Sequence, residues 1–318
     1  MSIHVVPIDS VGVSSHSSSR RADACWGVAV NGVIKAKCSA WWSATPRFLD
    51  HAVGVIGRYH ADDEASADLL ILHALDQLAS QGCTFVFGPM DQNTWHDYRF
   101  VIESDGRPPF FLEPRSSECG ALQFRRHGFD ERARYFSAIA EDLCVRSDRI
   151  DRLRSAFLTR GIRIRPLEQC RIIPEMQQIH RVATEAFRDH FLYTSICEDD
   201  FIEMYRSVES MVSTDMILLA EQAGSVVGFC FAVPDVLQAG RNEPVDTIVI
   251  KTLAVVPGHE FAGLGQLMLE EVQHRASATG FRRGVHALIA EGGPMARISN
   301  RYATPFRRYA LFGRELRG

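Results

Sequence analysis

The feature that most limits what this chain can fold into is a repeat inside it. Shifted by 198 positions, the first half lies on the second without a gap across a helix and its flanking strands. Val55 falls on Leu253, Leu69-Leu70-Ile71 on Leu267-Met268-Leu269, Gly82 on Gly280 and Phe87 on Val285. The hydrophobic pattern is shared and most identities are not, which points to two copies of one fold. A length of 318 residues suits two domains of about 150 residues each. The expected organisation is a mobile polar lead-in over 1–22 (Ser14, Ser15, Ser17, Ser18, Ser19, Arg20, Arg21), a first copy over 23–145, a charged connector over 146–160 and a second copy over 161–318.

In the first copy, apolar runs at 27–34 and 53–59 read as strands, 64–80 as a helix, and 84–87 as a strand closed by Gly88-Pro89. The helix rests on Leu69, Leu70, Leu72, Leu75 and Leu78 at helical spacing, with Asp62 or Asp63 to cap its start and Gly82 to stop it. The second copy repeats the order with strands at 217–220, 226–233 and 247–256, a helix at 263–278 and a strand at 285–290. Helical patterns at 175–187 and 199–212 precede them. Such alternation predicts an α/β fold with a mixed sheet in each copy.

A formal charge of −4 and a pI near 6.3 leave no electrostatic footprint for a nucleic acid or an anionic membrane. The cluster Arg301, Arg307 and Arg308 is the one place left open for a local basic patch. No run reaches the roughly 18 apolar residues of a membrane span, and Ser and His stand where a secretion signal would be apolar. A cytoplasmic protein without nucleic-acid partners is expected. The eight cysteines include no CxxC pair and no Cys/His cluster at ligand spacing, so no metal is expected, and most thiols should be buried and reduced.

The chemistry concentrates at 253–270, a strand, a short loop with Gly263 and Gly265, and an amphipathic helix. Backbone N–H groups entering a helix N-terminus point outward and favour negative charge, which suits a pyrophosphate. Glycines matter because a Cβ would keep a phosphate from those amides. No Gly-Lys-Ser/Thr follows, so this is not a Walker loop, and Gly-x-Gly-x-x-Gly is incomplete, so it is not a dinucleotide fingerprint.

This segment resembles the acyl-CoA-binding motif of the GNAT superfamily of N-acyltransferases, with Leu253, Val255 and Pro257 in the strand and Gly263 and Gly265 in the loop. Glu260 stands where that motif has Gln or Arg. Further resemblance to the tandem, two-copy bacterial type lies in Trp41-Trp42, 88–95, Tyr98-Arg99, 109–114, Gly128-Phe129, Tyr135, Gly228-Phe229, Pro234-Asp235 and 308–312. It implies two tandem GNAT-like mixed α/β domains, each a central, mostly antiparallel sheet flanked by helices. It implies acetyl-CoA or another acyl-CoA as donor, held by Leu253, Ala254, Val255, Glu260, Phe261, Ala262, Gly263, Leu264, Gly265, Gln266 and Asn300. Under the repeat, Ala65 and Ala67 replace the two glycines and Asp62 replaces Glu260, so the first copy is expected not to bind CoA.

The resemblance further implies N-acyl transfer, most simply N-acetyl transfer, by direct attack of a primary amine of a small molecule or peptide. Such a reaction needs a base, a backbone N–H near Val255 to polarise the thioester carbonyl, and an acid for the leaving thiolate. Asp246 and Asp235 are the candidate bases, although Asp is also an ordinary turn residue. The family's helix tyrosine is missing, since Asn300 falls at its position and Tyr302 is the nearest replacement. His190, Tyr193, Asn93 and Trp95 are candidates for the acceptor pocket. A long-chain acyl donor and a non-catalytic acyl-CoA sensor or scaffold remain as alternatives, and a homodimer is compatible with all of these.

Overall fold

The computed structural model describes residues 2–9, 21–114, 119–206 and 213–316; most of the expected lead-in, 10–20, lies outside the described residues. Strands β1 (Ile3–Pro7), β2 (Ala24–Val30), β3 (Val33–Trp41) and β4 (Val53–Ala61) form an antiparallel meander. The run 27–34, read from the sequence as one strand, is a hairpin. Asn31 and Gly32, at φ +50° and +83°, supply the left-handed pair that a two-residue turn needs. Helix α1 (Glu64–Ser80) begins at Asp63, whose carboxylate accepts the Ser66 N–H at 2.8 Å, and ends before Gly82 at φ +83°.

β5 (Phe85–Gly88) returns parallel to β4, followed by β6 (Phe100–Ser104), α2 (Gly120–Arg126) and β7 (Asp130–Ala140). α3 (Ile150–Thr159) forms within the charged connector. The second copy contains β8 (Ile162–Pro166), α4 (Ile172–Phe187), α5 (Glu198–Arg206), β9 (Ile217–Gln222) and β10 (Ser225–Pro234). It continues through the short α6 (Leu237–Gly240), β11 (Thr247–Val255), α7 (Leu264–Ala278), β12 (Arg283–Ala290), α8 (Pro294–Ser299) and β13 (Thr304–Glu315). The helical pattern expected to reach 212 is helix through Arg206, and 207–212 lie outside the described residues.

All thirteen strands join one sheet, ordered β1-β2-β3-β4-β5-β13-β7-β12-β11-β10-β9-β8, with β6 also on β13. The pairs β4/β5 and β11/β12 are parallel; the other pairings of described strands are antiparallel. The last strand of the chain therefore lies between β5 and β7, and β7 lies against β12 of the second copy. Tyr309, Leu311 and Phe312 of β13 are buried there, and Phe312 is enclosed with Phe100, Phe124 and Phe129 from the first half of the chain.

Because the exchanged strands carry ladder hydrogen bonds across the middle, neither half can lose its structure without exposing the other's strand edges. A single cooperative transition follows. Trp26, Trp41 and Trp42 pack in the first half and Trp95 against the second, so three of the four fluorophores report the first half while far-UV circular dichroism reports both halves. The two signals should give one urea midpoint; a circular-dichroism transition lagging behind fluorescence would show the halves unfolding separately.

Candidate active site

β11 and β12 pair only through Thr247–Ile250 and Arg283–His286, after which no residue of β12 partners β11. β12 is gripped on its far edge by β7, with a bulge between His286 and Ile289 where Leu288 takes φ +58°. The two parallel strands thus diverge toward their C-terminal ends, and the loop into α7 begins at the mouth of the opening. Gly263, at φ +95°, starts α7 without a side-chain cap, so the first-turn N–H groups are not taken by a capping side chain. A Cβ on Gly263 would meet Leu153 at 3.0 Å and the Arg149 guanidinium at 3.3 Å, so the connector stands directly against this loop.

The opening leads into a cavity of about 2290 Å³, large beside typical small-molecule sites. Leu253, Ala254, Val255, Gly263 and Gly265 line it, and five of the eleven expected cofactor positions therefore share one space. The other six do not line it. Glu260 turns its carboxylate back over Gly258, Phe261 packs on the core, and Ala262 and Asn300 are on the surface. Leu264 and Gln266 point inward; Gln266 bonds Tyr302 Oη at 2.7 Å and Glu270 at 3.2 Å and accepts from Arg301 at 3.0 Å. Periodicity marked the helix start correctly, but successive positions on a helix are rotated by about 100°, so Gly265 can line the cavity while Leu264 and Gln266 point inward.

The three expected acid and base residues lie outside the cavity. Asp246 precedes β11 at the paired end, bonded to Arg283 at 2.8 Å and Gln238 at 3.0 Å; against its partial burial, these partners hold its carboxyl below the usual range. Asp235 accepts the Phe111 N–H at 2.9 Å and pairs with Arg241 at 3.4 Å, anchoring the 105–114 loop over the site. Tyr302 donates to Glu270, and burial together with that carboxylate pushes its hydroxyl far above the ordinary phenol range. Nor does a basic patch form, because Arg307 is buried against Glu113 at 2.6 Å, Arg308 pairs with Glu103 and Glu291, and Arg301 is bonded to Gln266.

Three of the four acceptor candidates line the cavity. Trp95 comes from the first copy and donates Nε1–H to the Thr194 carbonyl at 2.7 Å, tying the 89–99 loop to the second copy. Tyr193 faces it with a buried hydroxyl that has no hydrogen-bond partner among the described residues. His190 lies with its ring tilted at 43° to that of Phe187, centroids 5.0 Å apart, and burial holds it below the usual imidazole range. Asn93 does not line the cavity; its Oδ1 accepts the Trp95 N–H at 3.0 Å.

Among the cations that line the cavity, Arg99 and Lys251 were not marked as chemical candidates by the sequence. Arg99 is clamped between the rings of Tyr98 and Tyr135, 3.7 and 3.9 Å from their centroids, and donates to the Leu288 carbonyl at 3.2 Å. Lys251 lies in β11 and donates to the Leu112 carbonyl at 2.8 Å. Burial, then the charge of Arg99, push its amine down to about 7, against the pull of Asp97 and Glu113. A signal was present, since only three of the chain's 35 arginines and lysines are lysines and this one is the single charged residue of β11.

The corresponding opening of the first copy is closed by the chain itself. Beyond Val55/Phe87 the strands part, and the segment after β5 enters the gap. Met90 donates its N–H to Ile56 at 2.9 Å and the Asp91 carboxylate accepts the Arg58 N–H at 2.7 Å. Only glycine fits at 57, because a Cβ there would lie 2.2 Å from the Met90 carbonyl oxygen. Among the described residues no group of His, Cys, Asp and Glu could hold a metal. The eight cysteines are all free, and four of them are exposed, contrary to the expected burial of most.

This architecture, a parallel strand pair that splits beside a helix in each of two copies, with the helix started by a glycine in the second copy alone, is the GNAT fold in tandem form. No known protein-family profile matches the chain. Among solved structures, the GCN5-related glucosamine N-acetyltransferase region of a fungal multi-domain GH3 β-N-acetylglucosaminidase is similar with a TM-score of 0.58 and 12% identity, covering 92% of this chain and 33% of that one. A GCN5-related N-acetyltransferase from Sphaerobacter thermophilus gives 0.55 and 13%, covering 92% and 81%. A tandem GNAT protein from the clavulanic acid biosynthesis pathway gives 0.50 and 13%, covering 92% and 82%. In sequence, the chain is 21% identical over 191 residues to a bacterial ceramide synthase of Caulobacter vibrioides (strain NA1000 / CB15N), a match covering 60% of this chain and about half, 49%, of that curated relative.

Burial raises the Asp91 carboxyl from its ordinary value of 3.8 to about 6, against the Arg58 N–H and guanidinium. The folded state therefore holds this proton more tightly than the unfolded state, so the contribution of Asp91 to stability falls as pH rises from about 4 through about 6. Asp91→Asn keeps an acceptor for the Arg58 N–H and removes this loss. In urea titrations the variant should gain on wild type by about 2 kcal/mol between pH 4 and pH 7; a gap independent of pH would refute the assignment.

Proposed function

We propose that this chain is an acyl-CoA-dependent N-acyltransferase that moves an acyl group to a primary amine and binds its donor in the second copy alone. The observation that carries this reading is the unpaired edge of β11, which opens from the Gly263–Gly265 loop into the large cavity. The diphosphate would rest on the first-turn amides of α7 with Arg149 beside it, and the pantetheine arm would run along Leu253–Val255, which pair with β10 but have no ladder partner on the β12 side. An amide on that edge would polarise the thioester carbonyl. The first copy, with its opening filled by Met90 and Asp91 and with Ala65 and Ala67 in place of the glycines, would supply the roof and part of the acceptor pocket.

A second reading concerns the length of the aliphatic groups. The wall formed by Phe187, Met204, Tyr205, Phe229 and Phe231 is apolar and aromatic, and it suits a long chain better than an acetyl group requires. The similarity to a ceramide synthase favours the same direction, because a ceramide is an amide of a long-chain amine. On this reading the donor, the acceptor or both carry a long hydrocarbon chain.

Thermal shift with CoA, acetyl-CoA and palmitoyl-CoA tests both readings. A ligand at a hundredfold excess over its Kd stabilises by about 2.7 kcal/mol and should raise Tm measurably. Gly265→Val puts a branched side chain into the cavity mouth and should abolish the shift, whereas Ala65→Val, at the first-copy position that matches Gly263, should leave it intact. Equal loss from both variants would place the donor elsewhere. A shift confined to palmitoyl-CoA would select the long-chain reading, and binding without thiol release across an amine panel would leave a sensor.

A further inference from the structure

Lys251 occupies a special place in the strand geometry, independently of its titration. The register between β10 and β11 jumps from Phe231↔Thr252 to Ala232↔Ile250, so Lys251 is the extra residue of a β-bulge. Bulges re-aim side chains. This one falls immediately after Ile250↔His286, the last pair joining β11 to β12, so the lysine is the first residue of the opened edge. Its side chain stands in the cavity that Leu253, Val255 and Gly265 also line.

We propose that Lys251 is the proton acceptor of the acyl transfer, taking a proton from the ammonium form of the incoming amine before attack on the thioester. The inference rests on the acyl-CoA reading above and deepens it. The amine nitrogen of Lys251 accepts the proton, the freed substrate amine forms the C–N bond at the thioester carbonyl, and the C–S bond breaks with its electron pair on sulfur. One of the two protons still on that nitrogen passes to the thiolate to give CoA–SH, the other stays as the amide N–H, and Lys251 returns its proton to solvent. No oxidant or metal is needed for this balance.

The surroundings permit the neutral form. Lys251 joins no ion pair among the described residues, and its hydrogen bond to the Leu112 carbonyl leaves the nitrogen lone pair of the neutral amine free. Arg99 in the 89–99 loop disfavours the charged form, while Asp97 in the same loop and Glu113 in the 105–114 loop favour it. Glu113 is already committed to Arg307 and the Tyr309 hydroxyl. On α5 the titratable neighbour is Tyr205; on β12, His286 is turned away onto Ser299 Oγ at 2.8 Å. An amine titrating near 7 is matched to a base working at neutral pH.

The test combines turnover with chemical labelling. In wild type, kcat/KM should rise with pH through about 7. Lys251→Arg keeps a cation and a donor for Leu112 but cannot act as a base; it should lose at least about 100-fold in turnover while retaining the thermal shift with acyl-CoA. Lys251→Met should lose as much at pH 7 and recover as the pH nears the acceptor amine's own pKa. Independently of any acceptor, a lysine-directed electrophile at pH 7 should modify Lys251 ahead of Lys35 and Lys37, with acyl-CoA protecting it. Normal turnover in Lys251→Arg, labelling of Lys251 only after the other two, or loss of the acyl-CoA shift in the Arg variant would overturn the proposal, the last by assigning Lys251 to holding the loop. Absence of acyl-CoA binding in wild type would instead overturn the donor reading.

Discussion

Everything in the site depends on two parallel strands that stop pairing. Up to Ile250 and His286 the ladder of β11 and β12 is closed, and beyond it the facing backbone groups must find water or a ligand, since a buried unpaired amide is costly. The divergence is maintained from outside the pair. β12 follows β7 through the Leu288 bulge, and β11 follows β10 through the Lys251 bulge, so each strand is pulled toward its outer neighbour with added twist. One distortion thereby opens the cleft and turns a cation into it.

The first copy is built on the same divergence and put to another use. Its bulge in β4 carries Arg58 at φ +47°, and its gap is filled by the chain that follows β5. That segment runs on to Trp95 and Arg99, which reach the second copy at the Thr194 and Leu288 carbonyls. The next loop is held by Asp235 at the Phe111 N–H, by Lys251 at the Leu112 carbonyl and by Arg307 at Glu113. Loops of one copy thus form a roof over the opening of the other. Three of the segments that resemble the tandem type in sequence, 88–95, Tyr98-Arg99 and 109–114, take part in these bonds.

Local rules made part of this readable along the chain. α1 spans the predicted 64–80 with Asp63 at its start and Gly82 beyond its end, and α7 begins one residue after the predicted 263 and ends at the predicted 278. Capping, helical spacing and positive φ at glycine act between residues a few positions apart, so the sequence carries them directly. The glycine loop and three cavity-lining aromatic or imidazole residues, Trp95, Tyr193 and His190, could be named for the same reason, since they flank elements of clear period. Asp246 and Asp235 were named for their proximity to strand ends, and there the folded chain gave them arginine and backbone partners remote in sequence.

By itself, then, the sequence determined that there are two copies, where their helices begin and end, and which copy keeps glycines at a helix start. Only the tertiary structure decided that β13 and β7 interleave, that one opening is filled while the other stays clear, and that Lys251 faces the cavity. The reason is physical: a bulge is defined by the register against another strand, and the occupancy of a gap by chain brought in from tens of residues away. Neither is encoded in the spacing of neighbours, because both come into existence only when distant strands are paired.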